Sequence, residues 1–250
     1  MNILLTNDDG IYAPGIHALY AQLKKIGKVT VVAPDSERSS VGHGITLAHP
    51  IWYKKIQTLD KLTGYGISGT PADCVKFAVS VILKRKPDVV VSGINLGPND
   101  GCSVFYSGTV AGAREGSLMG IPSMAVSLNT FINPDFSYAA KCAAKLTQKI
   151  KTLALPKGTF LNVNVPHLKQ SQVKGIRMTR QCTEPIHGTF SKRRDPHQKD
   201  YYWMGGKMPT NLKDDAIDTC ALNRGYVTVT PIQCDSTDSM FLKRLEGVKI

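Results

Sequence analysis

Apolar residues fall in short unbroken runs, each ending in a polar, glycine-containing loop. Ile3-Leu4-Leu5-Thr6, Val29-Thr30-Val31-Val32-Ala33, Val89-Val90-Val91-Ser92, Ser123-Met124-Ala125-Val126-Ser127 and residues 160–165 have the length and composition of strands buried on both faces. Between them the apolar period changes. Ile16, Leu19, Tyr20 and Leu23 fall at i, i+3, i+4 and i+7, one face of a helix that Gly27 can end. Thr70-Pro71 starts another helix, with Thr70 as N-cap, Pro71 in the first turn and an apolar face of Val75, Ala78, Val79 and Ile82. Residues 109–119, stopped by Gly120, and 138–152 read as two more. Strands alternating with helices predict an α/β fold whose parallel sheet is covered on both faces.

The pattern changes after about residue 168, where Arg177-Met178-Thr179-Arg180, Tyr201-Tyr202-Trp203 and Tyr226-Val227-Thr228-Val229-Thr230 read as separate strands or hairpins with long connections. The expectation is one domain over residues 1–250, with a core at 1–168 and an extended arm with closing elements at 169–250. Such an arm has little core of its own, so it is expected to pack on a partner subunit.

Of 250 residues, 42% are hydrophobic and 20% charged, which excludes disordered and fibrous classes. No stretch approaches the roughly 20 apolar residues of a membrane span, and the first residues show no basic leader. Six cysteines stand apart with no C-x-x-C pair, as expected of reduced thiols in a cytoplasmic protein. Thirty-one Lys and Arg against 19 acids give a net charge of +12, which favours anionic partners. Much of the excess lies around Lys192-Arg193-Arg194, away from the polar loops, so charge alone does not locate a site.

Three loops at strand ends are richer in polar residues than plain connections require: 7–10, 35–44 and 92–109. In an open parallel sheet such ends are where ligands bind. Adjacent Asp8 and Asp9 repel each other unless a cation sits between them. An exposed loop or a helix cap is the competing reading; a divalent cation held by hard oxygen atoms is the functional one. Asn95 lies among glycines that allow backbone to approach a ligand. Ser107-Gly108-Thr109, just before a helix, combines hydroxyls, free N–H groups and the helix dipole into an anion cradle, with Thr109 as a plain N-cap the alternative.

These blocks carry a resemblance. Ile3-Leu4-Leu5-Thr6-Asn7-Asp8-Asp9-Gly10, Val32-Ala33-Pro34-Asp35 with Arg38-Ser39, and Gly69-Thr70-Pro71-Ala72-Asp73-Cys74-Val75 resemble the SurE (survival protein E) nucleotidase family. So do residues 91–99, Tyr106-Ser107-Gly108-Thr109-Val110, Gly225-Tyr226-Val227 and Thr230-Pro231, in the family's order over nearly the whole chain. The resemblance implies a Rossmann-like three-layer fold and a metal-dependent phosphomonoesterase acting on nucleoside 5′- and 3′-monophosphates, in some members also on short polyphosphate. It implies one divalent ion per subunit, Mn²⁺ or Mg²⁺, with Asp8, Asp9, Ser39 and Asn95 as ligands and the two aspartates as catalytic groups. Asn95, Asn99, Ser107, Gly108 and Thr109 are the expected substrate-binding residues. A homodimer that exchanges C-terminal segments, sometimes paired into tetramers, is implied as well, with no membrane and no specific nucleic acid as partners.

Other classes leave weaker traces. Residues 64–69 spell G-x-G-x-x-G before a helix, which raises a dinucleotide-dependent oxidoreductase as an alternative. That fingerprint needs a buried strand directly before its first glycine, whereas residues 57–63 are polar and broken. A basic nucleic-acid-binding protein is the other alternative, with Phe190 and Tyr201-Tyr202-Trp203 as stacking residues near the basic run; packing is the competing role for these aromatics. No G-x-S-x-G elbow, Walker A loop or His-x-x-x-His spacing is present.

Overall fold

The structure, a computed structural model, describes residues 1–58, 62–207 and 212–248. In chain order its elements begin with β1 (Asn2–Thr6), α1 (Pro14–Leu23), β2 (Lys28–Pro34), β3 (Tyr53–Gln57), β4 (Thr63–Ile67) and α2 (Pro71–Phe77). There follow β5 (Val89–Leu96), α3 (Gly108–Leu118), β6 (Ser123–Asn129), α4 (Ser137–Lys149), β7 (Thr159–Pro166) and β8 (Ile176–Met178). The chain closes with β9 (His187–Arg194), β10 (Asp200–Lys207), α5 (Asp218–Asn223), β11 (Val227–Gln233) and α6 (Ser239–Leu245).

Nine strands form one sheet in the order β3-β4-β2-β1-β5-β6-β7-β11-β8. From β4 to β7 neighbours are parallel, while β3 and β11 join antiparallel to β4 and β7. Alternation along each strand sorts its side chains. Ile3, Leu5, Val31, Ala33, Val89 and Val91 face α1 and α4, whereas Leu4, Val32, Ile67 and Val90 face α2. Helix α3 packs beside α2 on that second face. Because α3 follows β5 and α4 follows β6 in the same direction across the sheet, yet on opposite faces, those two crossovers have opposite hands, so one departs from the usual right-handed rule. From β1 the chain crosses to β2 on one side, and from β5 it crosses to β6 on the other. The boundary between β1 and β5 is therefore a topological switch point, the place where an open sheet leaves a crevice beyond its strand ends.

Helix α3 sits low over β5 and β6 because its contact face lacks side chains. A Cβ at Gly112 would lie 2.7 Å from Ser92 Oγ, and one at Gly116 only 2.4 Å from Ser123 Oγ. With Gly108 they form an i, i+4, i+8 stripe that lets the helix backbone rest on β5 and β6. Helix α2 starts as the sequence predicts: Thr70 Oγ1 accepts from Asp73 N, and the Asp73 carboxylate accepts from Thr70 N, a reciprocal cap with Pro71 in the first turn.

The structure departs from several sequence expectations. The stretch 64–69 is no phosphate-binding turn, because Gly64-Tyr65-Gly66-Ile67 is itself strand β4. Cβ atoms there would meet Val31 Cβ at 2.8 Å and Ile56 Cδ1 at 2.5 Å, so these glycines serve strand packing and the dinucleotide reading fails. Of the polar stretch before it, Leu59, Asp60 and Lys61 lie outside the described residues. Helix α3 begins at Gly108 with Ser107, not Thr109, as its N-cap. Helix α4 covers Ser137–Lys149, starting and stopping earlier than 138–152. Strand β11 does not stay in an arm: it pairs with β7 across six residue pairs and belongs to the main sheet. Strands β9 and β10 alone stand apart, as a two-stranded hairpin. On it Phe190, Tyr201, Tyr202, Trp203 and Met204 are exposed. Its basic run is partly neutralised, since Lys192 and Arg194 both pair with Asp200 across the strands, at 2.6 and 3.1 Å.

Candidate active site

At the switch point the loop after β1 is folded by its own residues. Asn7 Nδ2 donates to Gly10 O at 2.9 Å, and Gly10 takes φ +98°, so the chain turns tightly and presents Asp8 and Asp9 at the strand end. Asp8 is buried against the start of α3, where its Oδ1 accepts the Thr109 hydroxyl and its carboxylate also meets the Thr109 N–H. Gly108 makes that contact possible, since a Cβ there would come within 2.8 Å of Asp8 Cβ. Thr109 thus turns toward a carboxylate of the protein itself, and the anion it holds in this structure is Asp8. Asp9 reaches the other way: Leu96 N at the end of β5 donates to its Oδ2 at 3.3 Å.

The electrostatics are those of an uncompensated pair. Burial raises the Asp8 pKa, and the hydrogen bonds from Thr109 offset this only in part. Burial, then the neighbouring Asp8 charge, carries Asp9 from its ordinary 3.8 to about 7. Glu37 adds to both shifts, so a third carboxylate stands close to the pair. Sequence reasoning missed it, and the bends and turns of this loop leave no periodic signal that would have found it. In this structure Ser39 Oγ donates to Glu37 Oε1 at 2.5 Å.

Asn95 is the second-last residue of β5, beyond the register shift at Gly93, and its Nδ2 donates to Gly97 O at 2.7 Å. Asn99 is nearly buried: its Nδ2 donates to Ser127 Oγ, its N–H to Asn164 Oδ1, and its carbonyl accepts from Asn162 Nδ2. Ser107 Oγ accepts from Val110 N at 3.1 Å. The loop carrying Ser39 is pinned to the rest by Arg38 N donating to Asp8 O at 2.8 Å. Asp8 therefore meets the α3 start directly and Asp9 the end of β5, where Asn95 also lies; Ser39 comes from the loop after β2, and Asn99 is bonded to β6 and β7.

The hard-oxygen donor set fits a divalent cation on two observations. Two adjacent acids are raised, Asp8 by burial and Asp9 by burial and then the charge of Asp8, with no cationic side chain paired to them among the described residues. Asn7 Oδ1, one residue from the pair, is buried without a hydrogen-bond partner. The sequence profile described as "Survival protein SurE" matches residues 3–187. The chain belongs to the SurE family. Among its relatives, a protein named 5′-nucleotidase SurE from Thermosipho melanesiensis is 46% identical over 246 residues, covering 98% of this chain and 96% of the relative. One of the same name from Chlorobaculum tepidum is 44% identical, covering 98% and 93%. The crystal structure of the SurE protein from Aquifex aeolicus superposes with a TM-score of 0.87 at 42% identity, covering 98% of both chains. Likeness to SurE proteins thus extends over sequence and fold together.

Proposed function

We propose that the chain is a 5′-nucleotidase, a phosphoric monoester hydrolase, that works with a divalent ion held by Asp8, Asp9, Ser39 and Asn95 and also accepts nucleoside 3′-monophosphates. The enzyme class follows from membership of the SurE family and from relatives of that name at this identity. The observation that carries the site assignment is the uncompensated Asp8–Asp9 pair at the switch point, with Asp9 raised to about 7. When bound, a Mn²⁺ or Mg²⁺ ion supplies charge neutralisation for the phosphoryl group and lowers the pKa of water.

The protein's own groups have distinct tasks in this reading. Asp8 and Asp9 provide the negative charge that retains a dication, while neutral Ser39 and Asn95 complete the donor set and keep the site attractive to a phosphate dianion. Asp8 is oriented by Thr109, which holds it against the helix. Gly108, which packs against Asp8, is assigned to the phosphoryl oxygens together with Ser107 and Asn99, with the positive end of α3 favouring the anion. Short polyphosphate is a second substrate in the same reading. The hairpin β9–β10, a separate two-stranded sheet with exposed aromatics, is assigned to a partner subunit in a segment-exchanged homodimer, itself able to pair into a tetramer. No helix among the described residues is long and apolar enough to cross a membrane. Cytoplasmic placement belongs to the proposal, on the spacing of the six cysteines.

Phosphate release from a panel of nucleoside 5′- and 3′-monophosphates, with Mn²⁺, Mg²⁺ or excess EDTA, tests this function. Release with either metal and none in EDTA is expected; full activity in chelator, with metal absence confirmed by elemental analysis, ends the metal assignment.

A further inference from the structure

Away from the aspartates, α3 carries a second charged group whose position is unusual. Glu115 is 3% exposed, beneath the loop that bears Ser39. A carboxylate so buried is costly unless it is paired. Two side chains meet it, His43 Nε2 at 2.8 Å from Oε2 and the Lys76 ammonium Nζ at 2.7 Å from Oε1. Burial pushes its pKa up, but the hydrogen bonds and charges of His43 and Lys76 outweigh this and hold it below the usual range. It is therefore ionised and accepts from both.

The two partners have different origins. Lys76 comes from α2, so its bond ties helix to helix. His43 comes from the Ser39 loop itself, 72 residues earlier in the chain than Glu115. That loop is held on both sides of its apex. Before it, Arg38 N donates to Asp8 O and Arg38 Nη2 to Ser68 O at 2.9 Å. After it, Gly42 N donates to Tyr106 O at 2.9 Å, and His43 takes Glu115. Only Ser39, Ser40 and Val41 lie between, all exposed, with Ser40 at φ +57°. Later anchors at Gly44 and Thr46 attach the loop to the α2 start. The His43 anchor is the side-chain one that reaches α3, the helix whose first turn holds Asp8.

We propose that His43 is a positioning residue: by gripping Glu115 it references the Ser39 loop to the same helix that orients Asp8, and so sets the affinity of the site for its divalent cation. This rests on the metal reading above, with Ser39 as a ligand.

The test is Mn²⁺ titration by calorimetry, with turnover and melting of the metal-free form, on the full chain. In His43→Ala, Mn²⁺ binding should weaken about tenfold or more, the scale seen when a residue orienting a metal ligand is lost. Its kcat should fall with KM for the nucleotide changed less. His43→Gln, whose amide can still donate to Glu115, should recover to within about threefold of wild type. Lys76→Met should lower the melting temperature without weakening Mn²⁺ binding. Should His43→Ala not fold by circular dichroism, His43→Leu, which keeps bulk but cannot donate to Glu115, takes its place and should show the weakened Mn²⁺ binding. Unchanged Mn²⁺ affinity in His43→Ala or His43→Leu overturns the proposal, as does His43→Gln as weak as alanine. Wild type that binds no Mn²⁺ would instead bring down the metal reading beneath it.

Discussion

Replacing Asp9 with Asn removes one negative charge while nearly preserving shape, so it separates a metal ligand from a structural turn residue. In the metal-free protein the folded pKa of Asp9 is raised to about 7 from 3.8, by burial first and Asp8 second. The folded form then keeps a proton that the unfolded chain has already lost. The associated stability is present below pH 3.8 and disappears as pH rises through about 7. At full weight that interval amounts to about 4 kcal/mol, and the partial exposure of Asp9 reduces it to about 1–2 kcal/mol. Asp9→Asn lacks this penalty. In EDTA at pH 8 its melting temperature should equal or exceed that of wild type by up to about 4 °C per kcal/mol, whereas at pH 4 the two should nearly coincide. With Mn²⁺ the order should reverse, because the ion stabilises only the form that binds it. Turnover should fall at least about a hundredfold, equivalent to about 2.7 kcal/mol in the barrier. The assays are melting in EDTA and in Mn²⁺ at both pH values, and phosphate release from a nucleoside monophosphate. An Asp9→Asn protein with near-normal turnover and an undiminished Mn²⁺ shift would refute the assignment of this loop.

Three further outcomes follow from packing. Gly108→Ala places a methyl within 2.8 Å of Asp8 Cβ; it should keep its helical circular dichroism but lose about tenfold or more in kcat, and full activity would show that Asp8 need not sit where it does. Gly64→Ala, which drives a methyl to 2.8 Å from Val31 Cβ, should cost about 1–3 kcal/mol in urea melts without altering NADH fluorescence on mixing. Replacing the hairpin, residues 187–207, with a short flexible link should give a folded monomer by light scattering, whereas a variant that remains dimeric contradicts its role as the exchanged arm.

That last design depends on β11. Truncation from about residue 200 would remove a strand that pairs with β7 inside the main sheet, and so would damage the core as well as the interface. The sequence around Tyr226 reads as a strand, but its partner is some 65 residues earlier, and local pattern carries no record of such pairing. Strands β1, β2, β5, β6 and β7 were legible because both faces are covered and the apolar runs are continuous. Strands β3 and β4 were not: Lys54 and Lys55 on the edge strand face water, and the glycines that let β4 pack against Val31 and Ile56 remove the side-chain signal. Of the candidate site residues, Asp8 and Asp9 follow a readable strand, whereas Asn95, read as part of a loop, belongs to β5, which runs on to Leu96. The Thr109–Asp8 bond and the His43–Glu115 pairing could not be read from local pattern, since they join residues 101 and 72 positions apart.

The most direct measurement of the central claim is the anomalous difference map of crystals grown with Mn²⁺. One peak per subunit is expected, bounded by the carboxylates of Asp8 and Asp9, the Ser39 hydroxyl and the Asn95 side-chain oxygen, and none in crystals of Asp9→Asn at the same Mn²⁺ concentration. A Mn²⁺ peak elsewhere, or an active crystal form with no peak at these residues, would contradict it.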